Sequence, residues 1–70
     1  MRNEPQFQEI GDSMSIYTVG KFQWTVEGNS VIVTKDTPDG LFENIGFYQY
    51  ESDERADLAA YRMAKLQANA

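Results

Sequence analysis

The stretch from Phe22 to Thr34 constrains this chain more than any other part of it. Phe22-Gln23-Trp24-Thr25-Val26 alternates apolar and polar side chains with a period of two, the pattern of a strand with one buried face. Gly28-Asn29 follows Glu27, and Ser30-Val31-Ile32-Val33-Thr34 then resumes a β-branched run. A two-residue Gly-Asn loop suits a type II′ turn, because glycine tolerates the positive φ needed at its first central position. That turn sets a register: Glu27 faces Ser30, Val26 faces Val31, Trp24 faces Val33 and Phe22 faces Lys35. Phe22, Trp24, Val26, Val31 and Val33 then share one face, expected to be the core, and Ile32 falls on the other.

The flanking segments extend this hairpin into a sheet. Ile16-Tyr17-Thr18-Val19 is rich in β-branched and aromatic residues, and Gly20 interrupts it as a turn or bulge. Asp36-Thr37-Pro38-Asp39-Gly40 carries turn chemistry, with proline presetting φ and Gly40 supplying a left-handed position. A further strand is expected from about Asn44 to Tyr50. Ile45 and Phe47 project to one side and Tyr48 and Tyr50 to the other, with either face eligible to point inward, and Gly46 marks a candidate bulge.

Ser52-Asp53-Glu54 has the features of a helix start. Serine is a good N-cap, and two acids complement the positive end of the macrodipole. The alanine-rich sequence through Gln67 favours helix. Its expected buried stripe is Ala56, Ala59, Ala60, Met63 and Leu66 with the stem of Gln67, leaving Leu58 and Tyr61 outward beside Glu54 and Lys65. Residues 1–13 are expected to form a flexible or loosely packed arm, with at most a short helical turn, whose Phe7 and Ile10 cover an edge of the core. The fold class is α+β: residues 14–70 form one small two-layer domain, an antiparallel sheet of three or more strands with a C-terminal helix packed on one face.

Composition removes many functions. A chain of 70 residues buries only roughly 60% of its unfolded surface and has a thin core. It has no cysteine and no histidine, which excludes disulfides, the usual zinc sites, cysteine nucleophiles and Ser-His-Asp triads. Asp36, Asp39 and Glu43 lack the spacing of a calcium-binding loop, and Pro38 sits among them. The glycines never assemble into a phosphate-binding loop. Glu51, Asp53 and Glu54 stand at a helix start, a place too exposed for a general-acid pair. The expectation is therefore a non-enzymatic protein with no cofactor and no metal. It lacks an apolar leader or spanning segment, which points to a cytoplasmic protein without membrane partners.

Eleven acids against six bases give a net charge of −5, so broad phosphate neutralisation is disfavoured. Seven acids (Asp36, Asp39, Glu43, Glu51, Asp53, Glu54 and Asp57) lie between positions 36 and 57, with Arg55 the single base there. Their plainest role is solubilising charge. A more specific one is a negative surface that docks on a basic groove of a larger partner by imitating phosphates, with Tyr48, Tyr50 or Tyr61 as anchor. The favoured expectation is a protein-binding regulator or inhibitor acting by occlusion. Small acidic domains of this kind suit dedicated inhibitors or adaptors, including those of viruses and mobile elements. One alternative is a nucleic-acid-binding module that stacks bases on Tyr17, Tyr48 and Tyr50, although direct nucleic-acid binding conflicts with the charge. Another is a structural subunit that forms homodimers or larger assemblies through Leu58 and Tyr61.

Overall fold

A computed structural model describes residues 4–70. Five strands, β1 (Gln6–Glu9), β2 (Met14–Val19), β3 (Phe22–Glu27), β4 (Ser30–Asp36) and β5 (Phe42–Gln49), are followed by helix α1 (Asp53–Ala68). The strands form one antiparallel sheet in sequence order, each paired with its chain neighbours, and α1 lies across β2, β3 and β4. The architecture is the expected α+β sandwich of two layers.

The central hairpin has the register that its turn dictates. Glu27 pairs with Ser30, Val26 with Val31, Trp24 with Val33 and Phe22 with Lys35. Gly28 has φ +59°, the left-handed value that a side chain would resist at the first turn position. Asn29 also anchors the helix entry: its Nδ2 donates to the Tyr50 carbonyl at 2.9 Å, and its own carbonyl accepts from the Tyr50 N–H at 2.9 Å. The residue that completes the turn thus fixes the chain two residues before the helix cap.

At that cap, Ser52 Oγ accepts from the Arg55 N–H at 3.2 Å, with Asp53 and Glu54 in the first turn. At the other end, the Asn69 side chain donates to the Lys65 carbonyl at 2.9 Å. The two faces of the sheet differ sharply. Tyr17, Trp24, Val26, Val31 and Val33 are buried beneath Ala56, Ala60 and Ala64. Among the described residues no layer covers the opposite face, whose central cross-strand row runs Gln8, Ile16, Thr25, Ile32, Phe47.

Two segments depart from the sequence-based expectations. Gln6–Glu9, placed in the arm with at most a helical turn, forms edge strand β1, with Phe7 opposite Tyr17 and the two rings 5.0 Å apart. One apolar residue in four is too weak a pattern to announce a strand, and the edge of β2 supplies the missing order. Met1, Arg2 and Asn3, also assigned to that arm, lie outside the described residues. The helix is also turned on its axis. Its fully buried residues are Ala56, Ala60 and Ala64, while Leu66, expected inside, is 74% exposed. At 100° per residue this is a rotation of roughly 60°. It brings Asp57 and Tyr61 towards Tyr17, whose hydroxyl and ring they contact.

The strand that ends the sheet resolves which of its faces points inward. Tyr48 pairs with Val31 on the helix side, and Phe47 pairs with Ile32 on the open side. The register breaks opposite Val33 and Thr34, leaving Ile45 as an extra residue beside Gly46. Tyr48 folds its ring back over Gly46, where a Cβ would meet Cε2 at 3.0 Å.

The helix phase is testable. Ala60→Leu places a large side chain where α1 meets the sheet and should cost about 1–3 kcal/mol. Leu66→Ala should change stability by less than about 0.5 kcal/mol. Urea denaturation of both variants checks this, and the reverse ranking would reject the observed helix orientation.

Candidate functional site

The reversals of an antiparallel meander alternate between the two ends of its sheet. The β1–β2 and β3–β4 turns and the β5–α1 connection share one end, and the β2–β3 and β4–β5 turns share the other. The acids follow this division. Asp53, Glu54 and Asp57 on α1 meet Glu9 at the end of β1 and Asp12 in the β1–β2 turn around one shallow groove of about 250 Å³. Ser13, Ser15 and Val26 contribute to its floor, and no lysine or arginine is among its lining residues. Glu51 sits just before the helix cap at this same end.

Asp36, Asp39 and Glu43 lie elsewhere, at the β4–β5 end. The seven acids are therefore split between two ends of the sheet and do not form one continuous belt. Asp39 has a local task. Its carboxylate accepts from the Thr37 hydroxyl and from the Leu41 N–H, at 3.4 Å in the latter case. These bonds, the Thr37 one foremost, hold its pKa below the usual carboxylate value. Glu43 stands opposite Lys35 in the β4–β5 register. Among the described residues no group of acids is arranged to hold a metal ion.

Glu9 and Asp12 were not singled out in the sequence because they fall in the segment assigned to the arm. Their signal was Gly11, whose φ of +76° makes the turn between β1 and β2. Once β1 is a strand, that turn must fall beside the Gly28 turn. A backbone bond from the Gly28 N–H to the Ser13 carbonyl at 3.1 Å ties the two together.

The tyrosines divide by burial. Tyr17 is 7% exposed, and Tyr50 is half-buried and packed against the core. Tyr48 remains exposed on β5. The open sheet face, followed through the register, includes no lysine or arginine among its described residues. Tyr61, expected to point outward with Leu58, is half-buried instead. Its ring lies 5.8 Å from that of Tyr17, and its hydroxyl donates to Glu4 Oε2 at 3.1 Å. Glu4 also pairs with Lys65, and that bond raises the lysine pKa. Leu58 stays exposed and turns to the other flank of the helix, where it lines a shallow depression with Tyr50, Arg55, Ala59 and Arg62.

A single buried hydroxyl connects the acidic groove to the core. Tyr17 donates to Asp57 Oδ1 at 3.0 Å across a separation of 40 residues. Burial, reinforced by the bond to Asp57, pushes the Tyr17 pKa up to about 12. The bond fixes Asp57 at the groove wall and sets the helix phase.

Among the described residues no helix is long and apolar enough to cross a membrane. Comparison of the chain with protein-family models, curated proteins and solved structures finds no match.

The Tyr17–Asp57 bond predicts an alkaline transition. A tyrosine whose folded pKa lies above its unfolded value of about 10 contributes stability that is complete below pH 10. That contribution is lost as pH rises through about 12. Wild-type stability should fall across this window, and Tyr17→Phe should remove that component of the slope while costing about 1.5 kcal/mol at neutral pH. Thermal melts between pH 8 and 12 check it. Equal slopes in both proteins would reject the bond.

Proposed function

We propose that this protein is a non-catalytic binding domain that docks its acidic end on a basic surface of a larger protein partner and blocks it by occupancy. The observation that carries this reading is the convergence of Glu9, Asp12, Asp53, Glu54 and Asp57 on one groove without a basic side chain in its lining. The acids come from β1, a turn and the helix, so their spacing is held by the fold. Like charges gathered without counter-ions weaken a small domain, and a complementary partner turns that cost into attraction. The groove is shallow and suits a protruding lysine or arginine better than a small organic substrate.

Phosphate imitation is the sharper form of the same proposal. A partner groove that binds a nucleic-acid backbone presents a row of lysines and arginines, and fixed carboxylates at one end of a rigid sheet address such a row. The proposed regulator or inhibitor role follows from occupancy of that groove. The proposed partner is a nucleic-acid-binding protein, of the kind that small viral and mobile-element proteins target.

Two variants with the same net charge test the location of the site. Asp12→Lys with Glu54→Lys moves the charge from −5 to −1, and so does Asp36→Lys with Glu43→Lys at the opposite end. The probe is a lysine- and arginine-rich peptide of about 20 residues, followed by stopped-flow association at low salt. The first variant should associate about tenfold more slowly, and the second should stay within about twofold of wild type. Equal losses in both would mean attraction by net charge alone and would remove the groove as a site.

A further inference from the structure

We propose that β5 is a homodimerisation edge, along which two copies of the chain join antiparallel to form one continuous ten-stranded sheet. This inference is independent of the acidic groove and concerns the opposite flank of the molecule.

Strand β5 is the longest strand at eight residues, and it stands last in the sheet with β4 on one side only. The backbone groups on its outer side have no strand partner among the described residues, and such a row is a template for another extended strand. Its deterrents are few: one charge, Glu43, and the local bulge at Ile45. Glu43 is the single charged residue in Phe42–Gln49, and the segment contains no proline or lysine. Exposed apolar groups line it on both faces: Phe42 at 65%, Ile45 at 47%, Phe47 at 60% and Tyr48 at 44%. The helix packs on β2, β3 and β4, and Tyr48 on the helix side of β5 stays 44% exposed.

The other edge is built differently. β1 has only four residues, Gln6-Phe7-Gln8-Glu9, preceded by Pro5, and Phe7 is its one apolar residue, half-exposed with its ring tilted against that of Tyr17. A β5-to-β1 contact would set one half-exposed aromatic of β1 against those of β5, and it would propagate without closing. A β5-to-β5 contact closes on a two-fold axis and brings like surface to like.

Area and charge both permit this occupant. The three aromatics of β5 leave on the order of 300 Å² of ring surface exposed per copy. If all of it were covered in both copies, together with Ile45, Leu41 and the strand edges, the contact would approach the roughly 1,000 Å² expected of a specific interface, so this sum is its maximum. Antiparallel pairing about the strand centre separates the two Glu43 carboxylates by about five residues, near 17 Å, which exceeds the Debye length at physiological salt. Each copy still carries −5, so the contact should be weak and should tighten as salt rises. Docking of the acidic groove on a basic partner weakens with salt, and the two associations are thereby distinguishable.

Sedimentation equilibrium of the full chain from about 5 to 500 μM, at 50 and 500 mM NaCl, provides the test. Wild type should be dimeric at the upper concentrations, with a dissociation constant on the order of 10–100 μM that falls at the higher salt. Ile45→Lys places a charge at the bulge residue, which has no partner on β4. It should remain monomeric throughout with unchanged circular dichroism, whereas Leu66→Lys on the helix should dimerise like wild type. Amide exchange keeps the question decidable should Ile45→Lys fold poorly: in wild type, β5 amides should exchange more slowly as concentration rises while β1 amides do not change. A monomer at 500 μM in both salts would overturn the proposal. So would a dimer whose β5 exchange is independent of concentration, or one disrupted by Leu66→Lys.

Discussion

The register of the β3–β4 hairpin is the constraint from which the rest of this structure follows. In a strand, a slip of one residue sends every side chain to the other face. Such a slip here would move Trp24 and Val33 off the helix side and replace them with Gln23, Thr25 and Ile32. A core this thin has no second set of large residues to compensate. Gly28 prevents the slip by making the two-residue turn inexpensive, and Asn29 extends that local decision outward by clamping Tyr50 through both its side chain and its carbonyl. Turn, register and helix entry are thus one mechanical unit.

Alanine on the helix is the counterpart of bulk on the sheet. Ala56, Ala60 and Ala64 have no accessible surface, so α1 sits low over strands whose Trp24 and Tyr17 fill the interlayer space. This alanine stripe packs on β2, β3 and β4. The outer strands are covered less than the central ones, and the reverse face is open because the one helix lies on the other side. Apolar surface on β5 and the acidic groove beside β1 thus lie at opposite flanks of a sheet whose centre the helix occupies.

How far these features could be read from the residues depended on whether the signal was local. The central hairpin was legible down to its residue pairs, because a Gly-Asn turn and a period-two pattern act over neighbouring positions. The helix cap at Ser52 was legible for the same reason. The helix phase was not, since alanines at 56, 59, 60, 64 and 68 encircle much of the helix and carry little preference for one side. What decides it is Tyr17 meeting Asp57, a contact between residues distant in the chain. Strand β1 was hidden because its order comes from pairing with β2 rather than from its own composition. With it went Glu9 and Asp12, and hence two of the five carboxylates of the candidate groove.

Charge ties the two flanks together. An eight-residue apolar edge strand at the end of a sheet invites association, and natural sheets usually blunt such edges with lysine, proline or shortness. None of these operates on β5. The chain's net charge of −5 supplies a diffuse alternative, a repulsion that every approaching copy meets whatever its orientation. Diffuse repulsion lowers all self-contacts alike, so it leaves only the one with the largest apolar surface in contention. A basic partner seated on the acidic groove would cancel part of that charge and weaken the repulsion. Neutralising one flank should then favour pairing along the other, a coupling that requires no conformational change because it acts through the charge of the whole molecule.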